Sequence, residues 1–237
     1  MSQPTPNQAA ISLHPAVGAA RPSMWAKLAV CIEAHTELCM ANTQTQRLGI
    51  FLMLALAMAA TRIHHFGAVP DASWGVFFLA GFWLRGSARW AFPLLIAEAV
   101  LIDFLVITGQ GIDFWSHYCV SPAYWFMPVY FGALWLGGSW LARRQPGLRL
   151  STLWLALAAL LTSEAACYLI SNGSFYWISA NVPQPRSFAN WLVNLGDWYA
   201  PFLGITALYV GIGAVLHVLV TQLARTLRQS GRTGLRH

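Results

Sequence analysis

Charged side chains are scarce in this chain. Asp, Glu, Lys and Arg together make up 9% of the 237 residues, whereas soluble domains average about 25%. Hydrophobic residues make up 57%, with 12 tryptophans, and the mean hydropathy is +0.53. This composition excludes an ordinary soluble domain and predicts an integral membrane protein. The net charge of +6 comes from dispersed residues, without the contiguous basic patch of a nucleic-acid-binding protein.

Several motifs are also missing. No GxxxxGK[ST] sequence occurs, which excludes an ATPase of the P-loop type. No basic region leads directly into an apolar core with a small-residue cleavage site, which argues against a secretory signal. The cysteines form no CxxC pair, so neither a disulfide framework nor a zinc site is indicated. They are scattered along the chain: Cys31, Cys39, Cys119 and Cys167.

Six apolar segments follow residues 1–47, which differ from the rest of the chain in composition. About 20 apolar residues are needed to cross the hydrocarbon core of a bilayer, and the second segment is short for a full span. The sequence predicts an all-α integral membrane protein with six transmembrane helices. The segments run from about Leu48 to Ile63, Ser73 to Leu84, Trp90 to Ile107, Pro122 to Leu141, Ser151 to Ile170 and Tyr199 to Leu223.

Arginine placement predicts the orientation of these six spans. Basic residues collect on cytoplasmic loops, and ten arginines fall on one side of the membrane, against only Arg62 and Arg186 on the other. Both termini are therefore expected in the cytoplasm. Residues 1–47 form a predicted extension, disordered or interfacial; 48–228 form the membrane domain, and 229–237 a basic tail. The ten are Arg47, Arg85, Arg89, Arg143, Arg144, Arg149, Arg225, Arg228, Arg232 and Arg236.

Two outward loops stand out. The stretch from Ser171 to Trp198 is long and rich in aromatic and amide side chains. Because long loops in compact domains are usually functional or disordered, we interpret it as a lid over an outward cavity; an aromatic belt at the interface is the alternative. The other loop contains Cys119. Ser121 and Pro122 predict a helix start just after it, where the helix dipole favours a thiolate.

The side chains around Cys119 suggest a ligand that is large and flat or carries a metal. His117 precedes the cysteine by two positions, and four aromatic residues flank it: Trp115, Tyr118, Tyr124 and Trp125. The alternative is a free cysteine in an aromatic loop at the membrane surface.

Ionisable residues inside the spans are the remaining candidates, since such groups are costly in a membrane and usually functional or paired. Asp103 could hold His64, His65 or the Tyr124 hydroxyl. The adjacent histidines could ligate a metal or form a polar cap at the interface. Glu98 and Glu164 could act in function, neutralise arginines or join helices by hydrogen bonds, whereas Cys167 and His217 are most simply packing residues.

The chain resembles the BtuM family of bacterial cobalamin transporters, related to the S-components of energy-coupling-factor (ECF) transporters, over about residues 47–228. The residues that carry the resemblance are His64-His65, Pro70-Asp-Ala-Ser73, Asp103 and Cys119-Val-Ser-Pro-Ala-Tyr124. Ala55 and Ala59 add a small-xxx-small pattern that allows close helix approach; ordinary packing within the chain is the favoured explanation.

The resemblance implies uptake of cobalamin (vitamin B12) across the bacterial inner membrane. Cys119 would be the axial cobalt ligand, with loss of cyanide from cyanocobalamin. Tyr124, Asp103 and His64 or His65 would support this chemistry, and related corrinoids are potential ligands. An ECF ATPase and scaffold module is a potential partner through Ala55 and Ala59.

Aromatic side chains suit the flat faces of a corrin ring, which places Trp115, Tyr118 and Trp177 among the expected contacts. Two other interpretations stay open. The chain could be an S-component for a different vitamin or a metal, with Cys119 incidental, or a structural membrane subunit. It could also be a haem or quinone redox protein that uses His64, His65, His117 and His217. No further cofactor is predicted.

Overall fold

The computed structural model describes residues 44–63, 70–144 and 150–234. The chain divides into two units, Met1–Asn42 and Thr43–His237, and all described residues belong to the second. Most of the predicted N-terminal extension and both His64 and His65 therefore lie outside the described residues. Positions 44–47 of that extension open the first helix.

The described part of the chain is helical and contains no β-strand. Six α-helices coincide with the six predicted segments, although their ends differ. They are α1 (Gln44–Arg62), α2 (Ser73–Trp83), α3 (Ala88–Gly109), α4 (Met127–Arg143), α5 (Leu150–Ile178) and α6 (Phe188–Gly234). Short 3-10 helices at Arg85–Ser87, Phe114–Ser116 and Pro122–Phe126 lie between them.

Within the described ranges, three helical stretches are long and apolar enough to cross a membrane: Arg85–Gly109, Ser151–Ile178 and Phe188–Thr226. At 1.5 Å per residue, the 25 residues of the first extend about 37 Å, which exceeds the roughly 30 Å hydrocarbon core. The all-helical class and the membrane-spanning character agree with the sequence. The six-span topology with both termini in the cytoplasm stays a prediction.

The short helix α2 lies at the centre of the bundle. Nine of its 11 residues are buried, as expected for a helix that is apolar all round. It packs closely against α4 at two glycines. A Cβ atom added at Gly81 would overlap the Trp135 backbone, and one added at Gly138 would overlap the Phe78 carbonyl. The Phe77 ring of α2 stacks on the Phe131 ring of α4 with centroids 4.1 Å apart.

The predicted long outer loop from Ser171 to Trp198 is largely helical, so that prediction is wrong at both ends. Only residues 179–187 connect α5 to α6. The amide and aromatic side chains pair across the two helices instead: Asn172 Nδ2 donates to Asn194 Oδ1 at 2.8 Å, and Trp191 Nε1 donates to Asn172 Oδ1 at 3.0 Å. Polar groups that suggested a loop are thus satisfied by a neighbouring helix.

The short loop 179–187 folds over the end of α5. Arg186 donates to the carbonyl groups of Trp177 and Ser179, which are among those left free at a helix C-terminus and favour a cation. Asn181 Nδ2 donates to the Tyr118 carbonyl at 2.8 Å. This last bond joins the loop to the segment that carries Cys119.

Candidate functional site

Cys119 lies in the connection between α3 and α4. The 3-10 helix Phe114–Ser116 is capped by Asp113, whose carboxylate accepts from the Ser116 amide at 3.0 Å. The Cys119 amide donates to Nδ1 of His117 at 3.3 Å, so His117, which is mostly buried, shapes the cysteine backbone.

The predicted helix start after Cys119 is only partly correct. Pro122 begins a 3-10 helix of five residues, the Ser121 side chain does not cap it, and the α-helix begins at Met127. The Ser121 hydroxyl is buried without a hydrogen-bond partner in the described structure. The cysteine therefore lacks the long α-helical N-terminus that we expected to favour its thiolate.

The thiol of Cys119 is not activated in this structure. Burial raises the pKa of the Cys119 thiol; the Tyr118 hydroxyl opposes this effect, the Asp103 carboxylate adds to it, and Arg62 opposes it. The interaction with Cys119, together with burial, raises the pKa of Tyr118 to about 12. The expectation of a low-pKa cysteine is therefore wrong, because desolvation outweighs the favourable neighbours.

A buried ion pair lies beside the cysteine. Arg62, at the end of α1, donates through Nε to Asp103 Oδ1 at 2.8 Å and through Nη2 to Asp103 Oδ2 at 2.6 Å. Its Nη1 donates to Asp71 Oδ2 at 2.9 Å and to the Ser73 hydroxyl at 3.0 Å. This two-pronged geometry is the strong form of an arginine–carboxylate pair.

Tyr124 completes this network. Its hydroxyl donates to Asp103 Oδ2 at 2.7 Å, and both side chains are largely buried. Tyr124 was one of three partners that we considered for Asp103; the other two, His64 and His65, lie outside the described residues. The hydrogen bond fixes the direction of the tyrosine hydroxyl, because the other Asp103 contacts hold the carboxylate in place.

These groups share one cavity of about 210 Å³. Cys119, Asp103 and Tyr124, which are predicted site residues, meet there with Arg62 and Tyr130. The cavity lining thus combines polar and apolar side chains. Its lining consists of Arg62, Asp103, Ile107, Cys119, Ala123, Tyr124, Tyr130, Ser171 and Phe175.

The other predicted aromatic contacts are not part of this lining. Trp115 and Trp125 stack on each other with centroids 6.2 Å apart and are mainly exposed, as is Tyr118. Trp177 packs edge-on against Trp191 and is also exposed. These rings lie on the surface of the described structure and do not line the cavity.

The donor set restricts which metals the cavity could accept. Three or more metal-ligating His, Cys, Asp or Glu side chains do not cluster anywhere in the described ranges, and Cys119 is the only sulfur in the cavity lining. A bare transition-metal ion usually needs about four protein ligands. A single thiol fits a metal whose other positions are already occupied by a chelating ring.

The remaining candidates lie elsewhere. His217 of α6 accepts from Trp83 Nε1 at 3.3 Å and does not line the cavity. Haem ligation by two histidines needs imidazoles that face each other, and His117 instead contacts Tyr118, with ring centroids 4.6 Å apart. Glu164 is fully buried in α5, and Glu98 in α3 is half-buried.

Sequence reasoning missed Arg62 as a site residue. In the sequence it stands out only as one of two arginines on the predicted outward side. A lone arginine at the outer end of a predicted span, against the usual charge bias, is itself a signal, and Asp71 and Asp103 supply the charges that would hold it. Neither a comparison with models of protein families nor one with curated proteins finds a match for this chain.

Proposed function

We propose that this protein is a cobalamin transporter of a bacterial inner membrane in which Cys119 binds the cobalt of the corrinoid. The observation that supports this proposal is a single thiol in a cavity with a fixed tyrosine hydroxyl and a buried ion pair. A corrin supplies the equatorial nitrogens of cobalt and leaves an axial position for one protein ligand. Sulfur is a soft donor suited to such a centre.

The charges of the site favour a cationic metal. Asp71 and Asp103 contribute −2 and Arg62 contributes +1, so the ion-paired cluster has a net charge of −1. This charge and the burial of the thiol oppose a free thiolate. An approaching cobalt cation reverses that balance, because metal binding releases the thiol proton. The thiol would then become a strong ligand only when the substrate arrives.

Tyr124 is positioned to assist the loss of cyanide. In the proposed step the cobalt–cyanide bond breaks, the Cys119 sulfur forms a bond to cobalt, and the thiol proton leaves with the cyanide as hydrogen cyanide. No electron is gained or lost. The Tyr124 hydroxyl, held by Asp103 at 2.7 Å, could relay that proton. Tyr124→Phe should therefore slow cyanide release more than it weakens binding, and an equal loss of both would contradict this role.

A corrin ring requires a wider cavity than the present one. Pockets for drug-sized ligands measure about 300–1,000 Å³, whereas this cavity measures about 210 Å³. The hydrogen bond from Asn181 to the Tyr118 carbonyl joins the two loops that would have to separate. On opening, Trp115, Tyr118 and Trp177 would be free to cover the flat faces of the ring.

The proposal includes six spans with both termini in the cytoplasm, so that the Cys119 loop faces outward. Ala55 and Ala59 would form the docking face for an ECF module, if one is used. Both alanines are half-buried, and Ala55 packs against the core, so part of this face already serves the fold. A bulky substitution at Ala59 that leaves uptake unchanged in cells would argue against docking there.

The decisive experiment is the visible spectrum of the protein purified with cyanocobalamin. Wild type should show a shifted corrin spectrum that Cys119→Ala lacks. Cys167→Ala is a matched control, because this buried cysteine is outside the cavity lining and its loss should leave the shift intact. Corrinoid bound with an unshifted spectrum in wild type and Cys119→Ala would remove the cobalt–sulfur bond from the proposal. No bound corrinoid in wild type would refute the cobalamin assignment, and a Soret band would indicate haem.

A further inference from the structure

Glu164 is an acidic residue that the proposed cobalamin chemistry does not use. It lies in the middle of the membrane-spanning stretch Ser151–Ile178, and its side chain is completely buried. Neither carboxylate oxygen has a partner at ordinary hydrogen-bond distance in the described structure, and the uncharged Tyr199 hydroxyl of α6 still interacts with the carboxyl group. The described ion pairs involve only Arg62 with Asp71 and Asp103. A buried acid in this position needs an explanation.

Burial of an unpaired carboxylate is unfavourable. The effective cost of removing such an ion from water is several kcal/mol, and a lipid environment provides no water to offset it. A neutral carboxyl group avoids most of this cost. The surroundings of Glu164 in this conformation therefore favour the form that has bound a proton.

No charge on the neighbouring elements compensates Glu164. The ionisable groups that interact with it are Tyr199 of α6 across the helix interface and Cys167 and Tyr168 on α5 itself. From α4, Tyr130 reaches the same region through its interaction with Cys167. All four groups are uncharged when they carry their protons, so no described cation stabilises the carboxylate.

A proton fits this position better than a metal ion. Hard cations such as calcium or magnesium take about six oxygen ligands, whereas no group of three or more His, Cys, Asp or Glu side chains that could hold a metal ion occurs in the described ranges. A proton needs only one carboxylate oxygen. The chemistry of the site is therefore that of a single titrating acid.

We propose that Glu164 is a proton-binding site and that its proton exchanges during the transport cycle. One carboxylate oxygen binds a proton while the group is buried, and releases it in a conformation that exposes the group to water. This inference rests on the proposed transport function, for which it supplies a source of energy. Tyr130 lines the Cys119 cavity and interacts electrostatically with Cys167, three positions from Glu164 in α5.

Infrared spectroscopy tests the proton directly. The full-length protein in lipid nanodiscs should show the C=O stretch of a protonated carboxylic acid at neutral pH, with the shift expected in heavy water. Glu164→Gln should remove that band, whereas Asp197→Asn, a change of an acid in α6 that is exposed to solvent, should leave it. If the wild-type spectrum contains no band that disappears in Glu164→Gln, the inference is overturned. This result does not depend on cobalamin.

Uptake into proteoliposomes tests the exchange. An imposed pH gradient should accelerate cyanocobalamin uptake by wild type and Asp197→Asn, and Glu164→Gln should lose that acceleration while keeping the Cys119-dependent spectral shift. Equal stimulation of Glu164→Gln, or stimulation by a sodium gradient alone, would overturn the proton-exchange inference. If wild type neither binds nor transports cobalamin, the proposed function fails instead, and the infrared band still decides whether Glu164 holds a proton.

Discussion

Substitution of Arg62 by Met should destabilise the protein strongly. Methionine keeps much of the arginine volume but removes every donor to Asp103, Asp71 and Ser73. The Asp103 side chain is 7% exposed and, among the residues that the structure describes, would keep only the Tyr124 hydroxyl as a donor. Loss of one partner of a buried ion pair costs about 3–5 kcal/mol, because the other charge remains buried.

The two carboxylates should not contribute equally to this cost. The Asp71 side chain is 25% exposed, so water can solvate it once Arg62 is gone, whereas water has little access to Asp103. The added change Asp103→Asn should therefore recover part of the loss. We expect Arg62→Met and Asp103→Asn to be less than additive by about 1–3 kcal/mol, which is typical of residues in direct contact.

Tryptophan fluorescence can follow unfolding of the four variants of this cycle in mixed micelles of mild detergent and dodecyl sulfate. Arg143→Met is the control, because Arg143 is exposed at the end of α4 and its loss should change the free energy of unfolding by less than about 0.5 kcal/mol. Additive effects of Arg62→Met and Asp103→Asn would refute the reasoning. A cost for Arg62→Met no larger than that of Arg143→Met would also refute it.

Three further changes probe the thiol, the helix packing and the loop contact. Because burial raises the pKa of the Cys119 thiol, a variant that keeps only this cysteine should be alkylated at half its maximal rate at a pH above about 8.5, the ordinary pKa of a cysteine. A midpoint at a pH below about 8.5 would contradict the raised pKa. Gly138→Ala should lower the free energy of unfolding by about 1–3 kcal/mol through overpacking. The control Gly211→Ala, whose added methyl group meets open space, should not destabilise the protein. Equal losses of stability in the two variants would be evidence against the close α2–α4 contact. Asn181→Ala removes the bond to Tyr118, worth about 0.5–1.5 kcal/mol, and should speed alkylation of Cys119 by up to about tenfold; an unchanged rate would show that this bond does not limit access.

The helices were predictable from the sequence because their apolar segments are long and end at polar breaks. The C-terminal end of α5 and the N-terminal end of α6 were not predictable in this way. Asn172, Trp191 and Asn194 have the composition of a loop, but they satisfy one another across two helices. A single sequence does not show that partner, so polar side chains that face a second helix resemble side chains that face water.

The site was predictable to the extent that its chemistry is local. Cys119 and Tyr124 lie five positions apart, and the expected link between Tyr124 and Asp103 is observed. Arg62 and Asp103 lie 41 positions apart, and nothing in the spacing of the sequence joins them. The state of the thiol was also hidden, since it depends on burial by the surrounding helices more than on the local turn.

The unactivated thiol is consistent with a site that reacts only with its own substrate. A low-pKa cysteine on an outward surface would be exposed to oxidation and to adventitious metals, because the thiolate is the reactive form. Here burial and the Asp103 carboxylate keep the proton on Cys119, while the net negative ion-paired cluster attracts a cation. Entry of a metal in a flat chelate would supply the positive charge and displace the proton in one event. Under the proposed function, the same electrostatic features would restrain the free cysteine and favour the metal-bound one.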